Sequence, residues 1–511
     1  MRLNLTQDFL SKNLLQNNLN YDIIIFVLTE RRSRLMSNKK LVEAITSMND
    51  DFAQWYTDVV TRAGLVSYSS VKGFVILQPL ATAIWENIRN GLDAMFKETG
   101  HENVIMPLLI PENLLQKEKD HVEGFAPEVA WVTHGGTEQL QERLCIRPTS
   151  ETLFCEHYAN IIYSWRDLPK LYNQWCNVVR WEKSTRPFLR SREFQWQEGH
   201  TIHETAKEAK AETLQMLDVY ATFAEQVLAI PVIKGQKSEL EKFAGAEVTY
   251  TIEAMMHDGK ALQSGTSHYF GDHFAKAFNI NFTSRDNTIT HPFQTSWGVS
   301  TRLIGGIIMT HGDDSGLKLP PKIAPTQVRI IPIAAHKQGV IEKCEELKSS
   351  LKSQIRVDID TTDNSPGWKF SQSEMLGIPL RLELGPRDIE NNQCVLVRRD
   401  TGEKIITALE NLTETINSLL DNIQQNMFES ALKRRESMTY IAKTTEEFAK
   451  FSEKPGLIKS AWCGENTCEE MVKEKYQLTT RCMPFGEKTD SDTCAACGKK
   501  AITTMYFGKA Y

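Results

Sequence analysis

Residues 177–200, NVVRWEKSTRPFLRSREFQWQEGH, decide how the rest of the chain is read. Two short polar-aromatic runs flank a loop that holds Pro187 and two arginines, Arg186 and Arg190. At a strand's two-residue period, Arg180 and Glu182 share a face of the first run. In the second run Arg192, Phe194, Trp196, Glu198 and His200 also share a face. Folded antiparallel, the two runs present guanidinium groups, a carboxylate and flat aromatic rings on one surface. Arginine forks pair with phosphate oxygens and rings stack on a base, so such a surface suits a nucleotide. A sheet edge carrying solvated charges has the same local spelling, and the rest of the chain decides between the two.

With 511 residues the chain can hold two to four domains, each with its own core. The formal net charge of −6 means that nucleic-acid binding must rest on local basic patches. Ten cysteines are too few and too clustered for a disulfide scaffold. No secretory signal is evident, so a reducing compartment is expected. The longest purely apolar stretch, IIIFVL (23–28), is far short of the ~20 residues of a membrane helix. The expectation is a soluble cytoplasmic protein with no membrane partner.

Residues 1–35 are rich in Asn and Leu and end in Arg31, Arg32 and Arg34. Arginines with few acids permit a targeting peptide, but Asp8, Asp22 and Glu30 argue against one. The expectation is a disordered extension, or an upstream start with the functional protein beginning at Met36. At the other end, Cys463-x₄-Cys468 and Cys494-x₂-Cys497 pair four thiols at the spacing that tetrahedral Zn²⁺ takes. Four protein ligands leave no open position, so the zinc would be structural. Redox or unpaired thiols are the alternative, and Cys482 has no close partner in sequence.

The 177–200 stretch resembles motif 2 of the class II aminoacyl-tRNA synthetases, and its wording is closest to the prolyl-tRNA synthetases. The resemblance runs from about Ser37 to Tyr511 through FAPEVAWVTHGG (125–136), IRPTSET (146–152) and NQWCNVVRWE (173–182). It continues through WQEGH (196–200), IPVIKG (230–235), EKFAGAE (241–247), SPGWKF (365–370), GPRD (385–388) and VRRDTGEK (397–404). These phrases look like the eukaryotic and archaeal form of that family. The implied fold is mixed α/β (α+β): a catalytic domain on an antiparallel sheet at 36–325, an α/β anticodon-binding domain at 326–428, and a small zinc-binding domain at 429–511.

Helical spacing of Ile84, Trp85, Ile88, Leu92, Met95 and Phe96 predicts a helix over 80–98, ended by Gly100, with a β-rich run at 103–111. That order resembles motif 1, which implies a homodimer. Thr149-Ser150-Glu151 resembles the loop that binds the substrate's α-amino group, and a Thr or Ser before an acid is also a common helix start. The resemblance makes Thr149, Glu151, Trp196, His200 and His268 the proline pocket. It assigns ATP to Arg180, Glu182, Arg190, Ser191, Phe194, Gln263, Thr266, Ser300 and Arg302. WGVSTRLIG (297–305) stands as motif 3. Arg180 and Arg302, with Mg²⁺, would stabilise charge on the phosphates.

The implied partners are ATP, L-proline and tRNA(Pro), and the implied chemistry needs no protein nucleophile. Matched segments fill most of the interval from Phe194 to Arg302, so no internal editing domain is expected. After 325, VRIIPIA (328–334), a helix at 340–352, IRVDI (355–359), PLRLELG (379–385), CVLVRR (394–399) and a helix near 407–425 alternate as an α/β unit. A basic helix with Lys433, Arg434 and Arg435 is expected to open the last domain, and the resemblance implies that the Tyr511 carboxylate reaches toward the catalytic domain. A catalytically dead tRNA-binding paralogue would be expected to lack some of Arg180, Glu182 and Arg302, and all three are present. Threonyl and glycyl enzymes would not be expected to combine Trp196, His200 and His268 with the cysteine module.

Overall fold

The computed structural model describes residues 45–121 and 128–511. The expected extension at 1–35 and the start of FAPEVAWVTHGG lie outside the described residues. Helix α1 (Phe52–Arg62) begins at Asp51, whose carboxylate accepts hydrogen bonds from the Ala53 and Gln54 amides. Helix α2 (Pro79–Glu98) has proline in its first turn and buries Ile84, Trp85, Ile88, Leu92 and Phe96 on one face. Gly100, at φ +86°, takes the left-handed position just beyond its end.

The expected β-rich run 103–111 does not form one strand. Strand β1 (Glu102–Asn103) joins the main sheet, while Leu109–Pro111 pairs with Glu138–Ile146 in a separate small sheet. Pro107, which lacks an N–H, lies in the crossing segment between the two sheets. Next come α3 (Glu151–Ala159), β2 (Lys170–Val179), β3 (Glu193–His203), α4 (Ala206–Gln226) and β4 (Val232–Gln236). They are followed by β5 (Val248–Met255), β6 (Ala261–Gly271), β7 (Phe293–Ser300) and α5 (Arg302–His311). Helices α1, α2, α4 and α5 bury their apolar sides together against the back of this sheet, around Phe96, Tyr220 and Trp297. No separate domain interrupts 193–300, since α4 and strands of the same sheet occupy most of it.

The α/β unit follows: β8 (Val328–Pro332), α6 (Val340–Leu351), β9 (Val357–Ile359), α7 (Pro366–Met375), β10 (Leu380–Leu384), β11 (Gln393–Arg398), β12 (Lys404–Ala408) and α8 (Leu412–Ser437). Its sheet runs β9-β8-β10-β11-β12, parallel over the first three strands and antiparallel over the last two. The helix expected near 407–425 starts at Leu412, because 404–408 extends as strand β12. It continues unbroken to Ser437, so Arg434 and Arg435 form its last turn and do not begin a new helix.

The last segment contains β13 (Thr439–Ala442), α9 (Thr445–Ser452), β14 (Leu457–Trp462), α10 (Asn466–Tyr476), β15 (Thr479–Pro484) and β16 (Thr503–Gly508). Its strands continue the main sheet, giving one order of β13-β14-β16-β15-β4-β5-β6-β7-β3-β2-β1. The junction is Met483 opposite Gln236 and Pro484 opposite Gly235. Gly235 permits this approach, because a Cβ there would overlap the Met483 carbonyl. A buried ion-pair cluster reinforces the seam. Arg481 of β15 reaches Glu253 of β5 at 2.7 Å, and Lys237 reaches the same carboxylate at 2.8 Å. No helix among the described residues is long and apolar enough to cross a membrane.

Candidate active site

Strand register brings the expected residues together in rows across the sheet. Trp196 on β3 lies between Cys176 of β2 and Ser300 of β7, and Glu198 lies between Gln174 and Gly298. His200 lies between Tyr172 and Ser296, with His268 of β6 and then Thr249 of β5 beyond. Alternation turns Phe194, Trp196, Glu198 and His200 to one side. Gly199 faces the opposite side beneath the Trp297 indole, where any side chain would overlap the ring. The glycine in WQEGH therefore lets the back of the sheet close.

These rows line a cavity of about 320 Å³. Thr149, Glu151, Arg180, Glu182, Arg190, Ser191, Phe194, Trp196, His200, Gln263, Thr266, His268, Ser300 and Arg302 all face it. Three of the residues read as strand positions depart from that reading. Strand β2 ends at Val179, so Arg180 and Glu182 lie just past it, in the turn to the loop. Strand β3 begins at Glu193, so Arg192 escapes the alternation and turns away from the cavity. Its guanidinium lies 4.3 Å from the centre of the Trp181 ring, and its Nη1 donates to the Lys72 carbonyl at 2.9 Å.

The loop between the strands is closed by paired backbone hydrogen bonds between Arg186 and Arg190. Tyr56 of α1 pins it by donating to the Pro187 carbonyl at 2.8 Å. Arg302 opens α5, and its guanidinium donates to the carbonyls of Gln263 and Leu189 at 3.4 and 3.3 Å. No carboxylate forms an ion pair with it among the described residues. Burial, with Arg180 and Arg190 nearby, pulls its pKa down to about 10.

Arg180 stands between this cationic group and an acidic one. Burial pulls its pKa down, while Glu151, Glu198 and Glu182 push it up. Its Nε donates to the Pro148 carbonyl at 3.0 Å, and its guanidinium lies 5.3 Å from the Trp196 ring centre.

Two buried carboxyls share the other end of the cavity and behave differently. Burial raises Glu151, only partly offset by His200, and the Glu198 charge adds to the rise. Glu198 is equally buried, yet hydrogen bonds from His200, Ser150 and Gln174 hold it below the usual carboxylate range. Glu198 is thus the resident charge. His200 Nε2 lies 3.0 Å from Glu198 Oε2, and its ring stacks on Phe154 at 4.3 Å. His268 packs against Phe243 at 4.7 Å and meets the Thr249 hydroxyl at 2.9 Å through Nδ1. Burial, and then His200, lower its pKa to about 3, so it is neutral.

Ser150 is the N-cap residue of α3, as the helix-start reading expects, but its hydroxyl donates to Glu198 and caps nothing. Thr149 donates to Glu151 at 2.5 Å. Sequence reasoning gave no role to Phe243 and Thr249, which also line the cavity. Phe243 sits inside the EKFAGAE phrase, whereas Thr249 has no signal beyond strand alternation.

The four cysteines singled out by spacing also converge. Their sulfurs lie within 4.8 Å of one another, with Cys463–Cys497 at 3.7 Å and Cys468–Cys494 at 3.8 Å. Four thiolates about 2.3 Å from a central Zn²⁺ sit roughly 3.8 Å apart, so the donor set and its size fit that ion. Cys482 is buried apart from them on β15. Tyr511 docks on the catalytic domain through its phenol, which donates to Asp258 at 2.6 Å, and its amide donates to the Ala261 carbonyl at 3.2 Å.

Comparison with known proteins agrees with this geometry. Residues 131–311 match the class II tRNA synthetase core domain of the G, H, P, S and T group, and 327–419 match an anticodon-binding domain. Residues 445–511 match the prolyl-tRNA synthetase C-terminal domain. The chain is 64% identical to the proline–tRNA ligase of Ruminiclostridium cellulolyticum over 478 residues, 93% of this chain and 100% of the relative. The chain belongs to the prolyl-tRNA synthetase family. Proline–tRNA ligases of Clostridium novyi and Lachnoclostridium phytofermentans are each 63% identical with the same coverage. The family's class II core is the antiparallel sheet that carries the cavity, and its anticodon-binding domain is the α/β unit.

Proposed function

We propose that this chain is a proline–tRNA ligase that activates L-proline with ATP and transfers it to the 3′-terminal ribose of tRNA(Pro). The observation that carries this reading is the division of one cavity into two halves. One half has Arg302, with no carboxylate partner among the described residues, together with Arg190 and Phe194, and the other has two acids walled by aromatic rings. Prolinium has two ring N–H donors and otherwise CH₂ groups, which suits Glu151 and Thr149 within walls of Trp196, His200, His268 and Phe243. Arg180 lies between the halves, where the proline carboxylate and the α-phosphate must meet.

Arg180 contacts the α-phosphate, and Arg302 and Arg190 take the distal phosphates. Phe194 stacks on adenine, with Glu182 beside its amino group. Ser191, Gln263, Thr266 and Ser300 complete the polar lining. A proline carboxylate oxygen attacks the α-phosphorus, the bond to the bridging oxygen breaks, and pyrophosphate leaves. The terminal ribose hydroxyl then attacks the prolyl carbonyl of the mixed anhydride and AMP departs. Mg²⁺, arriving with ATP, would neutralise charge on the phosphates.

We further assign a structural Zn²⁺ to Cys463, Cys468, Cys494 and Cys497, and the family's eukaryotic and archaeal form to the chain, although the relatives named above are clostridial. The domain division 36–325, 326–428 and 429–511, a cytoplasmic location and a homodimer belong to the same reading. The exposed Ile105 and Leu108 of the motif 1 segment support the dimer.

Amino-acid-dependent ATP–pyrophosphate exchange tests the function, with proline, alanine, cysteine, threonine and glycine as substrates. Exchange dominated by proline is expected. Another preferred amino acid would overturn the pocket assignment, and no exchange from folded, zinc-loaded protein would favour a binding module.

A further inference from the structure

Gln174 does not line the cavity, yet three parts of the site meet at its side chain. It lies at the middle of β2, fully buried. Its Oε1 accepts from the Met106 amide at 3.1 Å, which commits its Nε2 to the donor role. That Nε2 donates to Ser150 Oγ at 2.8 Å and to Glu198 Oε1 at 2.6 Å. Ser150 is flanked by Thr149 and Glu151, and the second oxygen of Glu198 holds His200. One amide therefore holds Glu198 directly, the His200 imidazole through Glu198, and Glu151 through the backbone next to Ser150.

The third group on this amide is backbone of the motif 1 segment. That segment is clamped a second time by Arg147, whose Nη1 donates to the Met106 carbonyl at 2.7 Å and whose amide donates to the Leu108 carbonyl at 3.0 Å. Arg147 is also the residue from which the chain enters Pro148-Thr149-Ser150-Glu151. The substrate loop and the motif 1 segment are thus held to each other from both sides.

We propose that Gln174 is a positioning residue for the ring nitrogen of proline: its amide fixes Glu198 and Ser150 so that Glu151 and His200 face that nitrogen, and ties their alignment to Met106. The proposal rests on the proline–tRNA ligase reading. Its specific consequence is selectivity for the nitrogen, because the hydrogen bonds of Gln174 run to Ser150, Glu198 and the Met106 backbone and to none of the ring-packing Trp196, His268 and Phe243.

The test is Gln174→Met, which keeps length and removes the donors and the acceptor. Proline-dependent exchange is measured together with inhibition by tetrahydrofuran-2-carboxylate, in which oxygen replaces the ring N–H. The expected result is a proline KM raised on the order of ten- to a hundredfold, the size of hydrogen bonds to a charged group. The KM for ATP and the inhibition constant of the oxygen analogue should stay within about threefold.

An equal loss for proline and the analogue would reduce Gln174 to a packing residue, and an unchanged proline KM would overturn the proposal. If Gln174→Met does not fold, Ser150→Ala removes one arm of the same arrangement. It should shift proline in the same direction by less and leave the analogue alone; equal shifts for both compounds would sink the idea. A parent protein without proline-dependent exchange would refute the functional reading itself, a separate outcome.

Discussion

Arg399 grips Asp313 across the junction between the α/β unit and the catalytic core, with Nη2 to Oδ1 at 2.6 Å and Nη1 to Oδ2 at 2.9 Å. Asp313 lies just past the end of α5, the helix that Arg302 opens. The arginine facing the nucleotide half and the arginine holding the neighbouring unit therefore act on opposite ends of one ten-residue helix. Trp55 adds a hydrogen bond to the Asp313 carbonyl at 3.0 Å.

Arg399→Ala is expected to cost about 1–3 kcal/mol in urea unfolding, less than a fully buried pair because Asp313 is partly exposed. Burial alone would raise the Asp313 carboxyl, but Arg399 and Lys318 hold it well below the usual range. Its contribution is complete above an ordinary Asp pKa of about 3.9 and is lost as pH falls through the lower folded value. The gap between parent and variant should therefore narrow in acid.

Arg180→Ala should strike turnover harder than folding. Loss of the cation proposed to contact the reacting phosphate is expected to lower proline-dependent exchange on the order of a hundred- to a thousandfold. The melting temperature should stay within a few degrees of the parent, as for a single substitution that leaves a roomy cavity. Normal exchange by this variant would remove Arg180 from the chemistry.

Proline binding should weaken in acid sooner than an ordinary glutamate would cause. Burial raises the Glu151 carboxyl, and in the proposed pocket prolinium pairs with the ionised form, so affinity is expected to fall as pH drops through that raised value. A proline KM that climbs on mild acidification, with a flattened profile in Glu151→Gln, is the expected pattern. Parallel profiles in parent and variant would assign the dependence to another group.

The cysteine cluster should carry one zinc per chain by elemental analysis, and Cys468→Ser should lose it together with thermal stability. Cys482→Ser should retain the metal, because that thiol lies apart from the four.

Alanyl-tRNA, once formed, should persist with the purified protein. An apolar pocket discriminates a missing methylene by only about 10–200-fold, and the 193–300 interval is built from the catalytic sheet and its helices. Sustained hydrolysis would point to an editing site elsewhere on the chain.

The α2 helix and the alternating face Phe194–Trp196–Glu198–His200 were legible because apolar or polar spacing and backbone period agree there. Arg192 was not, since alternation holds only within the strand and nothing local marks Glu193 as its first residue. The run 103–111 misled for a related reason: β-forming residues do not say whether one sheet or two will receive them. The last turn of α8 read as a new helix because its basic residues contrast with the polar stretch before them, although no breaker intervenes. Gln174 carries no signal at all, because its importance lies in partners from three separate parts of the chain.

The seam at Gly235 has a consequence for truncation. A chain cut before Thr439 would leave β4 with bare N–H and C=O groups along one side and Glu253 without Arg481. An uncovered strand of Val232–Gln236 is a template for recruiting other chains. Such a fragment is expected to associate edge to edge, which size-exclusion chromatography would show as a shift to larger species.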